Sequence, residues 1–506
     1  MRRSLIALAF ASTLPWLTYA AVIRGMVVEN QTGHPLARTV VVASPVAGTP
    51  GGAKSTRTDL YGGFVFEDLP AGAFLVSAAR KGFASVQYGQ KQWKSAGLPV
   101  ILEENQRMQL EIRLPRLGAI AGRVVDENDV GMPDHEVVVY RVAKPPLLVA
   151  HATSDDRGVY RIGSLEPGAY LVRTVTRVYE EGGYLPTFYR DVSTIDQAHP
   201  LEVLLDQQVE DIAVRPMPGR LFKLAGIASV PQMRDTTINM TLVSDMGKET
   251  VVAETPSGKF QFNPQAPGKY ELNLHAVNGG FQYYGYQEFE IDRDLTDIRI
   301  SGTQAPVLRT LLEDSRGGRV DFRQMQMFAR RQELSGPSER QKIDLRADSV
   351  RLPPGRWEFA IDPSSVLYAS GFQTNGSPVP GRADGWNADM IVSGVGVNTV
   401  KFVLSNSPGS VHGAVTLGTQ QALGAPVFLE SSEIEPARRF REPFMIRTNT
   451  RGQYQFSGLA PGEYRLLATF EYQSPTAAEF DLARAVTIKI EESRDLQQDL
   501  NLFVAR

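Results

Sequence analysis

From Thr450 to Leu467 the chain alternates apolar and polar positions. Tyr454 and Phe456 share one parity, and Tyr464 and Leu466 share another. Successive side chains of a strand point to opposite faces, so the pattern predicts two strands, each with one apolar face. Between them, Pro461 suits the second position of a tight turn, and Gly462 offers the positive φ that a type II turn needs at its third. Gly452 stands where a hairpin turn or bulge wants a residue without Cβ, and Leu459 is expected to plug the core. The stretch reads as a β-turn-β unit whose two strands lie side by side and antiparallel.

The same pattern recurs. Thr153 to Val172 carries Gly158, Tyr160, Ile162, Leu165, Pro167, Gly168 and Tyr170 in matching places. Thr58 to Val76 matches with Gly63, Phe64, Phe66, Leu69 and Gly72, although Ala71 replaces the turn proline. Another copy runs from Thr255 through Gly258, Phe260, Phe262, Pro267, Gly268 and Tyr270, and a worn one keeps Leu352, Pro354, Gly355 and Trp357. The turn glycines 72, 168, 268, 355 and 462 are 96, 100, 87 and 107 residues apart, about one small domain each.

Each unit has an opening strand upstream. Those at Ile23, Ile120 and Val411 carry a glycine at one shared position (Gly25, Gly122 and Gly413), while Leu224 and Val307 open the middle repeats less clearly. Each repeat closes on an alternating strand, such as Leu110 to Leu114 or Val400 to Leu404. Short strands between turns, without a convincing amphipathic helix, predict an all-β chain: a tandem array of about five antiparallel β-sandwiches. The expected segments are a leader at 1–20 and sandwiches at 21–115, 116–216, 217–302, 303–405 and 406–506.

An opening strand with Gly, a Gly-x-Pro turn, then Thr…Gly-x-Tyr-x-Phe…Leu-x-Pro-Gly-x-Tyr resembles the carboxypeptidase regulatory-like domain. The resemblance is close in repeats one, two and five and partial in three and four. It implies a seven-stranded prealbumin-like sandwich, grouped with starch-binding-like carbohydrate-binding folds. In the namesake enzymes the domain is an accessory to a separate zinc peptidase domain, and no such domain is visible in this sequence.

Arg2 and Arg3, an apolar run from Leu5 to Leu17 and then Thr18, Tyr19 and Ala20 predict a secretory signal peptide. Cleavage is expected after Ala20, with the bond after Ala21 as second choice. The run is too short to span a bilayer, and no later segment could. An exported location follows, periplasmic or extracellular. The chain has no cysteine, so it has neither a lipoprotein attachment site nor disulfides, and each domain must stand on its core. Removing Arg2 and Arg3 from 53 basic residues leaves a net charge near −5 against 56 acids, which would not hold nucleic acid or an anionic membrane.

Candidate chemistry is sparse. His199 and Glu202 have the His-x-x-Glu spacing of zinc carboxypeptidases, but they precede a strand in a domain too small for that enzyme. The six histidines (34, 135, 151, 199, 275 and 412) show no metal spacing. No nucleophile elbow, phosphate loop or calcium loop occurs, and Asp155-Asp156 reads as turn formers. The opening strands lack the early lysine of isopeptide-linked adhesin sandwiches, and only Lys223 comes near. The reading is non-enzymatic, without metal or cofactor.

The aromatic residues are the informative class. Tyr88 and Trp93, Phe188 and Tyr189, Tyr284 and Tyr286, and Trp386 follow the Pro-Gly strands of successive repeats. Exposed rings grip sugar faces or apolar peptide side chains; equally, rings fill joints between neighbouring domains. From Phe281 to Ile291, strand parity sends Tyr284 and Tyr286 outward beside Glu288 and Glu290, and Gly285 could break that parity with a bulge. The sequence thus predicts a monomeric exported binding protein for a glycan or an extracytoplasmic protein. The alternatives are an envelope spacer and an accessory to a secreted peptidase or glycan hydrolase.

Overall fold

The computed structural model describes residues 21–143, 146–179, 182–231, 233–245, 247–278, 280–316, 325–347, 349–362, 367–392, 397–440 and 443–505. The expected leader, with Ala20, lies outside the described residues. The chain divides into two compact units. One comprises the residues up to Arg80 with Ser85–Gln90 and Gly97–Leu114; the other comprises Lys81–Ala84, Lys91–Ala96 and everything from Pro115 on.

The first unit is a β-sandwich. Its strands are β1 (Ala21–Glu29), β2 (Val40–Pro45), β3 (Lys54–Arg57), β4 (Gly63–Leu69), β5 (Gly72–Ala79), β6 (Val86–Gln87), β7 (Val100–Leu102) and β8 (Arg107–Leu114). One sheet runs β4-β1-β8; the other runs β3-β2-β5-β6, with β7 also on β5. Period two places Ile23, Phe64, Phe66, Leu110 and Ile112 of the first sheet and Val41, Phe74 and Val76 of the second in the core, all at most 6% exposed.

The second unit repeats this plan. Four hydrophobic clusters follow one another along the chain: Ile120 to Val214, Phe222 to Ile300, Leu308 to Leu404 and Val411 to Leu500. Each is enclosed by a pair of sheets. Among the described strands the sheets are antiparallel except at one recurring place, where the opening strand pairs parallel with the closing strand. Ile23 lies beside Met108, Ile120 beside Val209, Gly226 beside Ile298, Leu308 beside Asn398 and Val411 beside Leu496. The whole repeat separates the two strands, which leaves ample chain for the crossover a parallel pair requires. The one α-helix among the described residues, Ala477–Leu482, is closed by a capping box between Thr476 and Glu479.

The opening-strand glycine answers to this parallel neighbour. A Cβ on Gly122 would lie 1.8 Å from the Ile212 carbonyl oxygen, and one on Gly413 would lie 1.9 Å from that of Gln498. In both repeats a core tyrosine reaches the same carbonyl: Tyr160 Oη donates to Ile212 at 2.7 Å and Tyr454 Oη to Gln498 at 2.6 Å.

The Pro-Gly turns differ from expectation in one respect. Their glycines do hold positive φ, at 147° for Gly72, 153° for Gly168, 155° for Gly268, 141° for Gly355 and 148° for Gly462. These values lie beyond the +80° of a type II turn, in a region essentially restricted to glycine. The flanking strands are not paired with each other: β4 belongs to one sheet and β5 to the other, and the later copies behave alike. Each turn is an arch between sheets, not a hairpin within one. An arch needs its linker pinned over the end of the core, and the aromatic residue two positions on does this. Tyr170, Tyr270 and Tyr464 donate to the carbonyls of Glu166, Ala266 and Ala460 at 2.6, 2.9 and 2.8 Å, and Trp357 Nε1 donates to Pro353 at 2.9 Å.

The turn before the arch follows one rule in repeats one, two and five. Oδ1 of Asp59, Asp155 or Asn449 accepts two backbone N–H groups, two and four residues on, at 2.8–3.0 Å. The left-handed position falls to Gly62, Gly158 and Gly452, at φ 76°, 77° and 70°. In the first repeat the equivalent residue is therefore Gly62 and not Gly63.

Candidate binding surface on the third sandwich

The strands Gly268–Asn278 and Phe281–Ile291 pair along their whole length, with His275 opposite Tyr284, Asn273 opposite Tyr286 and Glu271 opposite Glu288. Tyr283 and Ile291 are buried, whereas Tyr284 and Tyr286 are half-buried on the opposite face, as strand parity requires. Phe281 departs from it, being 54% exposed at the strand's start. Gly285 makes no bulge: register runs unbroken through its pairing with Leu274. A Cβ there would lie 2.9 Å from the Ser301 carbonyl oxygen, so the site demands glycine for proximity rather than for a bend.

The two tyrosines have different surroundings. The Tyr284 ring stacks on His275, with centroids 4.7 Å apart and planes 7° from parallel, and its hydroxyl donates to the Gln282 side-chain oxygen. Burial raises its pKa. Tyr286 lies under the Arg331 guanidinium, 5.1 Å from the ring centre, and donates to the Glu288 carboxylate. Burial, then the nearby carboxylates, hold its phenol well above the usual range.

Arg331 comes from the fourth sandwich, and it makes this end of the face a joint. Its Nη2 donates to Asn273 Oδ1 at 2.6 Å, while Leu334 N donates to Glu271 Oε1 at 3.1 Å. Glu333 pairs with Lys248 across the same contact. Glu271 is only 5% exposed. Burial raises its pKa, Arg331 opposes that rise, and Glu333 and Glu288 add to it.

The remaining sequence-predicted rings divide in the same way. Tyr88, Trp93 and Tyr189 are half-buried; Tyr189 packs on the second sandwich's core, with the Arg190 guanidinium 5.7 Å from its ring centre. Phe188 and Trp386 are corrections. Phe188 is 2% exposed and packs with Val138, Tyr140 and Leu171. Trp386 is 4% exposed, covered by Arg330 at 4.3 Å and by the edge of Phe440 at 5.5 Å. Neither offers a face to a ligand, because each aromatic area is used in packing. Ala21 opens β1 and is buried. His199 and Glu202 are exposed, and among the described residues no group of three or more His, Asp or Glu is placed to hold a metal ion.

Sequence pattern missed His275, Glu271 and Arg331. The first two were within reach, since closing a hairpin at Asn278–Phe281 sets them opposite Tyr284 and Glu288. Arg331 had no local signal, because it arrives from another repeat.

Residues 22–115 match the carboxypeptidase regulatory-like domain. This is the first sandwich, the segment from β1 to the end of β8. No curated protein matches the chain. Among solved structures, the minor pilin of Streptococcus agalactiae is similar at 13% identity, over 40% of this chain and 98% of that one, with a TM-score of 0.24. The Bacillus anthracis TIE protein matches at 10% identity over 75% and 72%, with a TM-score of 0.18. Two B repeat units of the Staphylococcus aureus collagen binding protein match at 9% identity over 76% and 99%, with a TM-score of 0.13. At these scores the likeness says nothing of ligand or activity.

Proposed function

We propose that the chain is an exported, non-catalytic binding protein for a glycan or an extracytoplasmic protein. In this reading its sandwiches are separate domains bounded near residues 115, 216, 302 and 405. The observation that carries it is the division of labour on the third sandwich's outer face. Tyr286 is committed to the joint through Arg331, while Tyr284, stacked on His275, is only half-buried. A pre-positioned ring beside Gln282 offers a flat apolar face and nearby hydrogen-bond partners at small entropic cost. The test is a glycan array and an extracytoplasmic pull-down with the chain from Ala21, run beside Tyr284→Ala. Retained ligands that the substitution weakens support the reading, and a chain that retains nothing overturns it.

A specific observation favours a second reading, that of a spacer. Trp386, Phe440 and Tyr286 are all spent at joints, and Arg382 reaches from the fourth sandwich to Tyr464 Oη at 2.7 Å and Glu433 at 2.8 Å in the fifth. Side chains that stiffen the joints hold a distance, whatever is bound.

A further inference from the structure

A cavity of about 490 Å³ opens beside the fifth sandwich, within the range of about 300–1,000 Å³ common for ligand sites. Its inner wall is Leu429, Ile446, Phe456 and Leu459, which belong to or pack on the sandwich's own core, and Ser457 stands exposed at its rim. The ionic groups along it are already matched. Glu430, with no side-chain exposure, is held by Arg439 at 2.5 Å and by Arg465; Asp384 is held by Arg382 at 2.6 Å. A charged ligand would have to compete with these pairs, so the cavity suits an uncharged, apolar occupant.

A second observation says what kind. The strand Phe444–Arg447 ends its sheet: it pairs with Pro426–Ser431 on one side, and among the described residues no strand lies beyond it. Thr448 N donates to the Ala425 carbonyl at 2.9 Å, which fixes the alternation of the ladder and turns the backbone groups of Met445 and Arg447 off the edge. Such a row is a template for one more strand. Phe444 and Ile446 share the parity that lines the cavity. An added strand would send every second side chain to that same side, about 7 Å apart.

We propose that this edge binds an extended segment of a partner protein by strand addition, seating two apolar side chains at i and i+2 in the cavity. The inference rests on the binding role proposed above and narrows it to a protein partner. The test selects a displayed library of random heptapeptides on the chain from Ala21. Enriched sequences are then measured as synthetic peptides by fluorescence anisotropy. Expected is enrichment of two apolar residues separated by one, with affinity falling at least tenfold for Ser457→Trp, which plugs the rim from an exposed position. A similar fall should follow N-methylation of the peptide's pairing amides. Gln455→Trp serves as the plug if circular dichroism shows that Ser457→Trp disturbs the fold. No enrichment, or binders indifferent to the plug or to N-methylation, overturns the proposal. A glycan retained on the array while the library stays empty would leave the binding role standing and remove this edge from it.

Discussion

Tyr464 Oη donates to the carbonyl of Ala460 at 2.8 Å, four residues back, and receives Arg382 Nη2 at 2.7 Å. One hydroxyl thus ties the arch of the fifth sandwich and fastens the fourth to it. Tyr464→Phe should lower the melting transition of the fifth sandwich by about 1–3 kcal/mol, since a buried carbonyl and a charged donor both lose a partner. Tyr270→Phe breaks only an arch bond and should cost less, about 1 kcal/mol. Differential scanning calorimetry of the two variants checks the order; equal effects would show that the Arg382 bond contributes nothing.

Much of this was legible because local and global preferences agree. Alternation marked the strands, the shared glycine marked the opening strand, and Pro-Gly marked the arches at Gly168, Gly268, Gly355 and Gly462. What alternation could not reveal is the sheet each strand joins. An arch and a hairpin share the same parity on both sides, and they differ only in long-range pairing, such as β5 with β2 instead of β4. The site suffered the same limit. Parity placed Tyr284 and Tyr286 on the outer face, but Arg331, which covers one of them, comes from another repeat. Phe188 and Trp386 looked like surface rings for the same reason, since nothing local shows what packs on them.

Gly462→Val should destabilise the fifth sandwich by about 1–3 kcal/mol, because φ near 148° is closed to a β-branched residue. A Cβ there would also lie 1.9 Å from Arg382 Nη1, so the joint loosens as well. Gly168→Val carries the backbone cost alone, its nearest neighbour being Tyr170 at 4.0 Å. With separate cores, calorimetry should show one transition shifted and the rest in place. A uniform shift of every transition would count against independent domains.

His135 is fully buried, neither ring nitrogen has a hydrogen-bond partner among the described residues, and Tyr184 meets its ring edge-on at 5.8 Å. Burial first, then Arg177, lowers its pKa from 6.5 to about 4. The unfolded chain therefore takes up the proton first as pH falls. No penalty exists above about 6.5; stability is lost between there and about 4, amounting to about 2–3 kcal/mol at the lower end. His135→Phe keeps the edge-on contact and removes the titration. The midpoint of the second sandwich should then vary less between pH 7 and pH 4 than in the parent, and an unchanged slope would exclude His135 as its source.

Tyr284 and Tyr286 should separate in experiment because they do different work. Tyr286→Ala removes the surface on which Arg331 rests and leaves Asn273, Glu271 and the Lys248–Glu333 pair to hold the joint. It should broaden the relative motion of the third and fourth sandwiches, read as increased amide exchange around Gln332–Leu334, with little change in ligand retention. Tyr284→Ala leaves that joint untouched and deletes a ring whose only stacking partner, among the described residues, is His275. It should leave exchange and melting nearly as they are and weaken whatever the outer face retains by about tenfold, near 1.4 kcal/mol. The converse result, with Tyr284→Ala unfolding the third sandwich, would make that ring a structural cover and leave this face without a ligand.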